Sequence, residues 1–144
     1  LCDNPKKGGR PVSKYGQLFV ATALVHLGLG LVLHAVSMFD VWLGFNPLAY
    51  TPISAITQAL LIGWLSQSVM GLLYDRLVDS PRLAAVTWAS LNVGLALTIV
   101  GQPVLALIGG NLTGGLVAMG GLLQVAAGVT FALDVGPLVT GKRE

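Results

Sequence analysis

Four apolar runs, each close to the roughly 20 residues a helix needs to cross a bilayer, use up nearly the whole chain. They fall at about Tyr15 to Met38, Pro52 to Tyr74, Arg82 to Val100 and Leu112 to Leu133. A soluble domain carries about a quarter of its residues as Asp, Glu, Lys or Arg. Here the share is 10% of 144 residues, too few to cover a surface facing water. The expected fold is all-α, a four-helix transmembrane bundle over residues 15–135. A tail over residues 1–14 precedes it and another over residues 136–144 follows it.

The run ends carry the expected signals. Pro52 opens the second run, where its missing N–H costs nothing. Ser80-Pro81 caps the third, and Gly136-Pro137 predicts that the fourth stops near Leu133. The first run is too long for the core of a signal peptide and lacks a cleavage site, so a retained helix is expected. The segment "GQPVLALIGGN" between runs three and four is too short to cross and too apolar for an ordinary loop. It predicts a stretch along the membrane surface or a short extra turn.

Charge sets the orientation. Lys6, Lys7, Arg10 and Lys14 precede the first run, Arg76 and Arg82 separate the second from the third, and Lys142 and Arg143 follow the fourth. Those are all 8 basic residues. The other two connections hold none. With both termini cytoplasmic, every Lys and Arg obeys the positive-inside rule. Phe39, Trp42, Phe45 and Tyr50 then form an aromatic belt at the outer surface. A net charge of +2 gives no reason to expect nucleic-acid binding.

Polar residues inside the runs are the candidates for function, because they are costly in hydrocarbon. At 1.5 Å per residue, His26, Trp64, Asn92 and Gln124 lie about 15–18 Å from their helix ends, near the midplane. They make one candidate polar cluster. His34 and Gln58 make a second pair nearer the outside. At 100° per residue Gln58 and Gln67 point to opposite sides of the second helix, so that helix does not build a site alone. Small residues offer packing positions at Gly28, Gly30 and a small-xxx-small row of Gly110, Gly114 and Ala118, either within the chain or against a second copy or a partner.

Known site chemistries find little support. The two histidines share one helix, about 12 Å apart along its axis, so they cannot ligate both faces of one heme. Cys2 with two histidines is not a zinc or copper set, and no metal site is expected. There are no paired carboxylates within the runs and no Gly-x-Ser-x-Gly elbow.

Several stretches nevertheless form a pattern: "LFVATALVHLGLGLVL", "ALLIGWLSQSVMGLLYDR", "WASLNVGLALTIVG" and "GGLLQVAAGVTFALDV". Over most of residues 15–135 the chain resembles small four-helix bacterial membrane proteins similar to subunit I of the heme–copper oxidases. Gly63, Trp64, Gly71, Leu72 and Tyr74 fit that family's second-helix frame, and Asn92 and Gly94 fit an Asn-x-Gly in the third. Where the family has a His-x-His-x-Asn motif, this chain has Ile56, Gln58 and Leu60. The resemblance implies a bacterial inner-membrane location and a place in electron transport, with the span-two heme ligands lost.

Three functional readings follow. The first is a non-catalytic accessory subunit of a larger redox or respiratory complex, bound to other integral membrane subunits and to lipid, and not an enzyme by itself. The second is a b-type heme electron-transfer protein, with His26 or His34 touching heme or a quinone. The third is a small channel or transporter acting as a homo-oligomer.

Overall fold

Within hydrocarbon a segment must satisfy its own backbone, and a helix does so without partners. The computed structural model describes residues 13–44, 53–76 and 80–139, and among these every element is helical. Four helices are long and apolar enough to cross a membrane. They are α1 (Lys14–Leu43), α2 (Ile53–Arg76), α3 (Pro81–Ile108) and α4 (Asn111–Val139). At 30 residues α1 is about 45 Å long, more than the roughly 30 Å hydrocarbon core. Its ends therefore reach the headgroups.

Ser13 starts α1. Its Oγ accepts the Gly16 N–H at 3.0 Å, and its own N–H donates to Asp75 Oδ1 at 2.7 Å. One carboxylate thus ties the start of α1 to the end of α2. Asp75 is thereby an inter-helix tether. Tyr74 and Thr87 also meet across α2 and α3 at this end. The contacts bring exposed Lys14, Arg76 and Arg82 to one end of the molecule. We call it the basic end.

Several boundaries differ from those expected. Helix α1 runs to Leu43 and closes on Gly44 in the left-handed region (φ 67°), so Phe39 and Trp42 are helical. Phe45 and Tyr50 lie outside the described residues. Residues 101–108 continue α3 straight through Pro103, and only Gly109 and Gly110 break it before α4 begins. Both glycines have positive φ, 72° and 99°, which L side chains resist. A proline near a helix end leaves one carbonyl unbonded, which transmembrane helices tolerate. Helix α4 likewise runs past Leu133 and Gly136-Pro137 to Val139.

The helices pack as two hairpins, α1 with α2 and α3 with α4, joined mainly where α3 meets α2. Glycine lets each hairpin close. A Cβ on Gly71 would lie 3.1 Å from the Gly16 carbonyl oxygen, and one on Gly94 only 2.7 Å from that of Gly120. At the basic end the rings of Phe19 and Tyr74 stack with centroids 5.2 Å apart, and Phe131 of α4 meets Tyr74 edge-on at 5.6 Å.

Helix α2 is irregular. Gln58–Ser66 is π-helical, with regular α-helix on both sides. The reason is visible in the burial pattern. Ala55, Ala59, Gly63, Gln67 and Gly71 are all buried, at a constant spacing of four. An α-helix rotates a four-residue step about 40° off register, so that set would wind most of half-way round. The wider π turns hold it on one face against α1.

Candidate functional site

The polar groups at mid-depth form a ring across three helices. Thr22 Oγ1 on α1 donates to Gln67 Oε1 on α2 at 2.5 Å. Gln67 Nε2 donates to Asn92 Oδ1 on α3 at 3.1 Å, and Asn92 Nδ2 donates to the Trp88 carbonyl at 2.8 Å. Trp88 Nε1 closes the circuit by donating to Thr22 Oγ1 at 3.3 Å. The Gln67 side chain has 0% exposure and is satisfied at both ends. Aligned hydrogen bonds in a low dielectric reinforce one another. The ring holds no titratable group. What it can do is fix the register of three helices and discriminate against any packing that leaves Gln67 unbonded.

His26 stands one turn along α1. Its Nδ1 lies 2.8 Å from the Thr22 carbonyl, and its ring packs against Gly63, where a Cβ would come within 2.6 Å of the imidazole. Gly63 is therefore the notch that admits the histidine. The expected midplane cluster does not assemble as one site. Asn92 bonds within the ring, whereas Gln124 donates to Thr98 Oγ1 at 2.9 Å between α3 and α4. Trp64 faces outward at 37% exposure. Thr22, Gln67 and Trp88 take the places that the sequence reading gave to His26, Gln124 and Trp64.

His34 and Gln58 do not bond to each other. Gln58 Oε1 is buried and has no hydrogen-bond partner among the described residues. His34 lines a cavity of about 260 Å³ near the ends of α1 and α2 that lie away from the basic end, with Ser37, Ile56 and Thr57. The Ser37 and Thr57 hydroxyls donate back to the Leu33 and Ile53 carbonyls. The frame position that the resemblance assigns to a first heme-ligand histidine is Ile56, buried in the wall of that cavity. The donor set does not fit a heme held between two side chains of this chain. Among the described residues no group of three or more His, Cys, Asp or Glu could hold a metal ion.

Of the packing glycines, Gly30 meets Leu60 at 2.5 Å from an added Cβ and is a true contact. At Gly28 and Gly110 an added Cβ meets nothing within 4 Å, and at Gly114 it meets only Leu105 at 4.0 Å, so these three make no close internal contact. Ala118 is exposed. The row ending in Ala118 does not pack the chain against itself.

A third polar group lies at the basic end. Tyr74 Oη donates to Thr87 Oγ1 at 3.1 Å, and Thr87 Oγ1 lies 2.9 Å from Thr130 Oγ1. Asp134 of α4 is buried close by.

No protein-family description, curated protein or solved structure matches this chain.

Proposed function

We propose that the chain is a non-catalytic membrane subunit of a larger redox complex in a bacterial cytoplasmic membrane, with both termini cytoplasmic. The observation that carries this reading is the outer face of α4. Gly114, Ala118, Gly121, Val125, Gly128 and Ala132 follow one another at alternating spacings of four and three. That is the 3.5-residue repeat of a helix–helix seam. Of the buried residues of α4, Gly120, Ala127 and Asp134 lie away from this row, and Val135 is buried beside its last turn near the basic end. A Cβ at Gly121 or Gly128 meets nothing within 4 Å, and α4 is the least buried of the four spans.

Lipid tails are as apolar as leucine, so membrane helices associate through close backbone approach over small residues. A seam of this kind turned outward suits a neighbouring transmembrane helix. The mid-depth polar groups support the same reading, because they bond to one another and bind helices together. The redox assignment rests on the oxidase-like frame. Gly63, Gly71, Tyr74, Asn92 and Gly94 of that frame all stand at helix contacts.

Purification of the tagged chain from its native membranes in mild detergent, followed by mass spectrometry, tests the reading. Stoichiometric co-purification of redox subunits is expected. Gly121→Leu and Gly128→Leu should leave the chain folded and lose those partners. A colourless homo-oligomer without partners would contradict it.

A further inference from the structure

A groove of about 540 Å³ runs down the outside of the α1–α2 hairpin from the basic end. Gly16 and Gly71 form its floor, and Val20, Leu24 and Leu72 are among its apolar walls. The run from Gly16 to Leu24 is about 12 Å deep. Its lining is mostly apolar, with three polar residues among it: Asp75, Gln17 and Ser68.

These three groups have hydrogen-bonding capacity to spare. Asp75 Oδ1 takes the Ser13 N–H, and Oδ2 has no hydrogen bond among the described residues. Among the described residues the Gln17 and Ser68 side chains make no hydrogen bond. Lys14 and Arg76, at the ends of the same two helices, are exposed beside the mouth. A carboxylate between flanking cations is the complement of a head that carries an ammonium and a phosphate together. A purely anionic head would meet Asp75. A choline head has no N–H to donate.

We propose that this groove binds one phosphatidylethanolamine molecule. The ammonium donates to Asp75 Oδ2, the phosphate lies toward Lys14 and Arg76, and one acyl chain descends over Gly16 and Gly71 past Leu24. The Gln17 amide and Ser68 hydroxyl serve the ester oxygens. This site is independent of the α4 seam, so either can fail alone.

The test is native mass spectrometry of the full chain taken from nanodiscs of phosphatidylethanolamine, phosphatidylcholine and phosphatidylglycerol in equal parts. One retained phosphatidylethanolamine per chain is expected, preferred about tenfold, as befits one charge-assisted hydrogen bond. Asp75→Asn keeps an acceptor for the Ser13 N–H and should abolish the preference. Ala21→Trp, at an exposed wall position, should fill the groove and abolish retention with the thermal unfolding midpoint unchanged. Leu24→Trp offers the same block should Ala21→Trp not fold. Equal retention of phosphatidylglycerol, an undiminished preference in Asp75→Asn, or full retention in both Trp variants would overturn the assignment. So would a photo-crosslink from position 21 to a transmembrane helix of another protein, which would make the groove a helix-docking face.

Discussion

Gln67 shows what a single polar residue does in this chain. Its amide uses both ends, one toward α1 and one toward α3, in a place where water cannot substitute. Gln67→Leu keeps the volume and removes both bonds. It strands the Asn92 carbonyl oxygen, whereas the Thr22 hydroxyl can turn to the Leu18 or Phe19 carbonyl. Inter-helix hydrogen bonds in bilayers contribute about 0.6–2 kcal/mol each. The expected loss is therefore about 1–3 kcal/mol, read as a lowered unfolding midpoint in detergent with helicity retained. An unchanged midpoint would mean that the ring contributes no stability. Trp88→Phe removes only the longest bond of the four and should cost less.

At the level of the element, the four spans are legible in the sequence because long apolar runs are a strong signal. The sequence reading misjudged the internal geometry of α2. A uniform 100° per residue placed Gln58 and Gln67 on opposite sides and hid the buried face. The signal was present as the constant spacing Ala55, Ala59, Gly63, Gln67 and Gly71, which no regular α-helix keeps on one side. Depth counting put His26, Asn92 and Gln124 at similar heights, but height says nothing about azimuth, and Gln124 points to Thr98 instead. The stop expected at Gly136-Pro137 does not occur because proline ends helices in water more readily than in a membrane.

The glycine contacts give two further expectations at this scale. Gly63→Ala pushes a methyl into the His26 ring and should destabilise the α1–α2 hairpin by about 1–3 kcal/mol. A second change, His26→Ala, should relieve most of that, giving a strong coupling in a double-mutant cycle. Additive effects would separate Gly63 from His26. Gly94→Leu drives a side chain into the Gly120 backbone and should prevent α3 and α4 from closing, whereas Gly28→Leu should be tolerated. Protease resistance of the two variants in detergent distinguishes them.

At the scale of the whole molecule, the chain is a four-helix, multi-pass membrane protein with an uneven division of labour. Helices α1, α2 and α3 are bound together by a polar ring. Helix α4 packs on α3 and meets α2 near the basic end, through Phe131 and Tyr74. Its seam of Gly and Ala is turned outward, which the sequence displayed but could not aim, since the same small residues serve equally inside or outside a bundle. The direct test is photo-crosslinking in native membranes from position 121, with position 122 as the lipid-facing control. The account predicts an adduct from 121 to a different integral membrane protein and none from 122. A homodimer adduct, or no adduct from 121, would contradict it.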